Sequence, residues 1–114
     1  MPDPDALAEA RRLLEEHGLP GGLLPDVVAT ASIDGSAFAV TLDRTVERVV
    51  DEVPVWYDTS VRGTLRAGRI ERLKGVKAKK VLWVPVTAIT ADGAELIFNV
   101  GPVSDRVPRR FFEG

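Results

Sequence analysis

Apolar residues in this chain recur at helical spacing only as far as about residue 17, and beyond Pro25 they alternate at strand spacing. Such a pattern allows one helix and requires the rest of the core to be built from β-structure. Leu7, Ala10, Leu13 and Leu14 share one face of the first segment, while Glu9, Arg11, Arg12, Glu15 and Glu16 fall mostly on the other. Asp3 followed by Pro4 is a helix start, because the Asp side chain accepts from free backbone N–H groups and Pro suits the first helical position. The stop is equally well marked. Gly18 takes the left-handed position after the last turn, Leu19 falls where it touches Leu14, and Pro20 prevents continuation. The spacing therefore predicts a helix over about 4–17.

Val27 to Ile33 and Ala37 to Leu42 flank Asp34-Gly35, a dipeptide that favours a tight hairpin turn. Phe38, Val40 and Leu42 share one face of the second run, with only Ala37, Ala39 and Thr41 opposite. Short strands are expected at Glu47–Val50, Val53–Asp58 and Val61–Ala67. Val81 to Ile89 is the longest apolar run, and its β-branched residues predict a strand interrupted by an edge or bulge at Pro85. Asp92-Gly93 then turns into Leu96–Val100, where Leu96, Phe98 and Val100 alternate. The expectation is a mainly β fold: an antiparallel pseudobarrel or sandwich of about seven to nine short strands with one N-terminal helix. At 114 residues, with no linker or repeat, residues 1–114 read as a single domain whose β-part runs over about 26–112.

Composition removes several chemistries. The chain has no cysteine and one histidine, so disulfides, thiolate catalysis and sulfur-ligated zinc are excluded and a histidine metal site is not expected. No cofactor is implied. The acidic start Met1-Pro2-Asp3-Pro4-Asp5 lacks the pattern of a secretory leader, and no apolar run reaches membrane-spanning length, so the sequence as it stands reads as cytoplasmic.

The net charge of −2 conceals a segregation. Residues 1–61 carry 4 basic and 12 acidic groups, while residues 62–80 carry 8 basic groups and only Glu71 as an acid. Two readings of the basic segment stand side by side. One is a solvated strand edge protected by Lys and Arg; the other is a surface for an anionic ligand or headgroup. Overall acidity and the lack of interleaved aromatics argue against nucleic acid. Leu73-Lys74-Gly75-Val76 lacks the second glycine and the Lys-Ser/Thr ending of a phosphate loop and reads as a tight turn or bulge.

Trp56, Tyr57 and Trp83 are large strand aromatics that either pack a small barrel's interior or line an apolar cavity. Taken with the cations, they make Trp56, Tyr57, Arg62, Arg69, Lys74, Lys80 and Trp83 the candidate ligand-binding residues. No catalytic or metal-binding set stands out. Ser32, Ser36, Ser60 and Ser104 supply hydroxyls, but the single imidazole, His17, falls where a helix-end cap is expected, and no Gly-x-Ser-x-Gly elbow occurs. Asp51-Glu52 reads as an adjacent pair pointing apart, and Asp58 as a turn former.

The ordered motifs Gly18-Leu19-Pro20, Gly22-Leu23-Leu24-Pro25, Phe38-Ala39-Val40, Tyr57-Asp58, Val61-Arg62-Gly63-Thr64-Leu65, Gly68-Arg69-Ile70, Leu73-Lys74-Gly75-Val76, Trp83-Val84-Pro85-Val86 and Phe98-Asn99-Val100-Gly101-Pro102-Val103-Ser104 cover nearly the whole chain. Together they resemble the plant-enriched family known as domain of unknown function 538. The resemblance implies a small all-β pseudobarrel with an N-terminal helix. For that family a similarity to lipid-binding domains of the bactericidal/permeability-increasing type has been suggested, as has hydrolysis of chlorophyll-type esters. Members often carry a cysteine shortly after the strand that holds Phe38; this chain has Thr45 there. Many plant members also begin with a signal peptide, which this sequence does not show.

The expected function is a non-enzymatic binder of an apolar or anionic amphipathic, lipid-like small molecule. Two alternatives remain: an ester hydrolase acting on a chlorophyll-type or other carboxyl ester, and a protein-interaction or homo-oligomerisation module.

Overall fold

The computed structural model describes residues 2–113. Helix α1 spans Pro4–Glu16 and is capped as its sequence predicts: the Asp3 side chain accepts from the backbone N–H of Asp5 and Ala6. At its far end the Leu19 N–H donates to the Leu14 carbonyl at 2.9 Å and the Gly18 N–H to Glu15 at 3.0 Å, with Gly18 at φ +82°. These are the two bonds of a Schellman stop, and the accompanying Leu14–Leu19 pair is almost fully buried. Burial of each of these leucines stabilises the fold by about 2 kcal/mol.

Eight antiparallel strands follow: β1 (Val28–Asp34), β2 (Ala37–Leu42), β3 (Val46–Val50), β4 (Val53–Arg66), β5 (Arg69–Lys79), β6 (Trp83–Asp92), β7 (Glu95–Val100) and β8 (Val103–Pro108). They form one sheet in the order β1-β2-β4-β5-β6-β7-β8, with β3 also paired to β4. The Asp34-Gly35 and Asp92-Gly93 hairpins stand where the sequence places them.

Several features depart from the sequence reading. The two short strands expected over 53–67 are a single 14-residue strand, because a bulge at residues 58–61 bends β4 without ending it. That bend lets one strand serve two neighbours on the same side: its first half pairs with β3 and its second with β2. The basic segment is not an edge. It includes β5, which pairs with β4 and β6 in the middle of the sheet. Asp51 and Glu52 are not extended but both left-handed, at φ 49° and 68°, and make the two-residue β3–β4 turn. The run starting at Val81 enters its strand only at Trp83, and β8 is an additional strand. Pro85 lies in an internal strand rather than at an edge and pairs in register with Lys77; the irregularities of β6 follow it, between Val86 and Ala88 toward β7 and between Pro85 and Ile89 toward β5.

Residue alternation sends Val55, Tyr57, Val61 and Leu65 of β4 and Ile70, Leu73, Val76 and Ala78 of β5 into a common core. The sheet curls around this core without closing, since its pairing order ends at β1 and β8. Helix α1 and 3-10 turns at Gly21–Leu23 and Arg109–Phe112 fill most of the seam. Three contacts tie them down. The Asp3 N–H donates to the Val28 carbonyl at 2.8 Å, Arg109 donates to the Gly18 carbonyl at 3.0 Å, and the Phe112 ring stacks on Phe98 at 5.6 Å.

Candidate functional site

The seam is not filled along its whole length. Between the end of β3 and the middle of β8 lies a cavity of about 190 Å³, floored by Val50, Val55, Ala78, Phe98, Val100 and Val107. Its floor is apolar because β3, β4, β5, β7 and β8 all direct their inward residues toward it. Its rim carries Asp51, Lys80, Asp105 and Arg106. Lys80 forms an ion pair with Asp105 across that rim, while the Arg106 guanidinium turns to Asp92 and Glu95 at 2.8 and 3.1 Å. Deeper inside, beyond Phe98, the core leaves a void of only about 30 Å³. A void that small holds no more than about one water molecule.

The seven sequence-derived residues are not gathered at this cavity. Lys80 borders it. Tyr57 points into the core, where its hydroxyl donates to the Leu23 carbonyl at 2.7 Å. Trp56, next in the chain, necessarily points out. On that outer face Glu47 opposes Trp56, Trp56 opposes Lys77, and Lys77 opposes Pro85, while Lys79 opposes Trp83. The Lys77 and Lys79 ammonium groups lie 5.5 and 5.7 Å from the Trp56 and Trp83 ring centres. Arg62 and Lys74 oppose each other further along the same face. Arg69 is engaged by Glu71 and by the Thr90 hydroxyl, and Arg66 and Arg69 hold the Glu71 carboxyl below its ordinary range.

Arg48 is a residue the sequence reading passed over. Its Nη2 lies 2.8 and 2.9 Å from the Gly22 and Leu23 carbonyls and 2.6 Å from the Tyr57 hydroxyl, and its guanidinium covers the Tyr57 and Phe112 rings. This is a partly buried polar knot that pins the Gly21–Leu23 turn into the seam. The signal was present: Arg48 stands between Val46 and Val50 at strand period, a charge in an inward register. Burial pushes the Tyr57 phenol above its ordinary value, with the Arg48 charge opposing that shift.

Of the groups considered for ester hydrolysis, the His17 ring nitrogen Nδ1 is 2.7 Å from the Leu13 carbonyl, as a helix-end cap, and Ser104 donates to the Asn99 side chain. Among the described residues no group of three or more His, Cys, Asp or Glu side chains is placed to hold a metal ion, and no helix is long and apolar enough to cross a membrane.

Fold and site together define an open antiparallel β-pseudobarrel whose seam is stoppered by a helix and two 3-10 turns. Residues 10–113 match the family described as "Protein of unknown function, DUF538", and the chain belongs to that family. It is 30% identical over 97 residues to the uncharacterized protein At5g01610 of Arabidopsis thaliana, an alignment covering 82% of this chain and 57% of that protein. The chain thus spans little more than half the length of this curated relative. No solved structure matches.

Proposed function

We propose that residues 1–114 act as one unit that binds an apolar or amphipathic, lipid-like small molecule without chemical conversion. The apolar part occupies the seam cavity between β3 and β8, and an anionic end replaces Asp105 as the partner of Lys80. The supporting observation is the cavity itself: six inward apolar side chains under a rim with one ion pair that a ligand headgroup can exchange. Its volume lies below the range of about 300 Å³ upward that encloses a drug-sized ligand, which suits a short chain or the end of a longer one.

Native mass spectrometry and titration with decanoate and decanol test this reading. A one-to-one complex is expected with both. Lys80→Gln should weaken decanoate binding at least about tenfold and leave decanol nearly unchanged, because a hydrogen bond to a charged group is worth more than one between neutral groups. Val53→Trp, at a half-buried position that also lines the cavity, should block both ligands without loss of folding. Absence of any complex, or complexes indifferent to Val53→Trp, would refute the proposal.

A further inference from the structure

The described residues leave seven large hydrophobic side chains exposed, and strand pairing places five of them at the end of the barrel where the cavity opens: Val49, Val81, Leu82, Trp83 and Val103. Val81 and Leu82 are 91% and 74% exposed. They form the tip of the β5–β6 hairpin, whose turn is closed by a bond from the Lys80 N–H to the Leu82 carbonyl at 2.9 Å. Two adjacent aliphatic residues held in water by a hydrogen-bonded turn contribute nothing to the core. Their conformation is set by the turn and by the strands behind it, so they are presented rather than merely left over.

Their surroundings indicate what they meet. Behind the tip, on the outer face of β4, β5 and β6, stand Trp56 and Trp83 with Lys77 and Lys79 over their rings. Among the described residues, neither lysine has an acidic partner within ion-pair distance, nor do Arg62 and Lys74 on the same face. Glu47 beside Trp56 and the Asp51-Glu52 turn are the opposing charges at this end, and Asp105 is already taken by Lys80. Behind the aliphatic tip stands the Trp83–Lys79 pair and, two residues further back, the Trp56–Lys77 pair. An apolar tip backed by indoles and unpaired lysines at the same levels matches the acyl region of a lipid bilayer and, above it, the interfacial zone with its anionic headgroups.

We infer that the β5–β6 tip is a membrane-docking element: Val81 and Leu82 enter the surface of an anionic bilayer, Trp56 and Trp83 lie at the headgroup level, and Lys77 and Lys79 bind lipid phosphates and carboxylates. The docking stands on this surface alone and does not require that the cavity hold a ligand. Because Lys80 belongs both to the tip and to the cavity rim, docking also brings the mouth of the cavity to the bilayer surface.

Co-sedimentation with phosphatidylcholine vesicles, with and without phosphatidylserine, tests the inference, with the emission of the two tryptophans as a second readout. Binding is expected only to the serine-lipid vesicles, with a blue shift of emission and weakening as salt rises. Leu82→Asp and Val81→Asp should each reduce binding at least about tenfold, since a charge replaces an inserted apolar side chain. Lys77→Gln and Lys79→Gln should each reduce it about fivefold. All four positions are exposed, so thermal unfolding should stay unchanged and serve as the folding control. Failure to bind serine-lipid vesicles, or binding indifferent to Leu82→Asp, would overturn the inference. So would an oligomer in sedimentation velocity that Leu82→Asp dissolves, because the tip would then be a protein interface. Decanoate binding by Leu82→Asp separates the two proposals, being retained whether or not docking fails.

Discussion

Arg48 and Tyr57 show how a few polar atoms set the position of a whole loop. A half-buried guanidinium and a buried phenol are stable beside the core because the Gly22 and Leu23 carbonyls, which the sheet does not use, accept from them. The phenol is neutral when so bonded. Its pKa is raised by burial, so the stability that depends on it is fully present below the unfolded phenol's value of about 10 and is lost as pH rises toward the folded one. In that interval stability should fall by up to about 1.4 kcal/mol per pH unit. Urea denaturation of the protein and of Tyr57→Phe between pH 8 and 11 checks this: the advantage of the native residue should be constant to about pH 10 and then shrink. The seven candidate residues were readable as residue types but not as a set. Trp56 and Tyr57 are neighbours in sequence and lie on opposite faces of β4, a consequence of strand geometry that only a settled register makes definite.

At the scale of elements, the central event is the bulge in β4. Residues 58–61 of β4 face Gly75 alone on β5, and a Cβ at Gly75 would lie 2.1 Å from the Ser60 carbonyl oxygen. Gly75 is also at φ +93°. Position 75 thus combines a backbone conformation that L-residues rarely adopt with a contact that excludes any side chain. Gly75→Ala should cost roughly 3 kcal/mol or more, whereas Gly35→Ala, at φ +61° in open space, should cost only about 1–2 kcal/mol. Equilibrium denaturation of the two variants makes the comparison. Reading Leu73-Lys74-Gly75-Val76 as a turn or bulge was sound because a lone glycine between strand-like residues signals a close backbone approach. That β5 continues through it was not legible, because Arg72 at φ 53° and Gly75 break the alternation that would have marked an 11-residue strand.

At the scale of the molecule, an open sheet has become a nearly closed one by using three small non-strand elements as filler. Phe112 is the hinge pin of that arrangement: it stacks on Phe98, lies under the Arg48 guanidinium, and its carbonyl is so close to Gly22 that a Cβ there would overlap it. Phe112→Ala should therefore destabilise the protein by about 3–4 kcal/mol, measured by chemical denaturation, and should loosen Gly21–Leu23 in hydrogen exchange before the central strands. The sequence by itself determined the helix and both of its caps, the two Asp-Gly hairpins and the mainly β character, because each depends on residues within a few positions of one another. The basic segment could be counted but not placed. Only the tertiary structure decided that it runs through the middle of the sheet, that Arg62, Lys74, Lys77 and Lys79 share a face with two tryptophans, and that the seam keeps a cavity. Those are consequences of which strands pair and how far the sheet curls, and strand pairing joins residues whose separation along the chain carries no local signal.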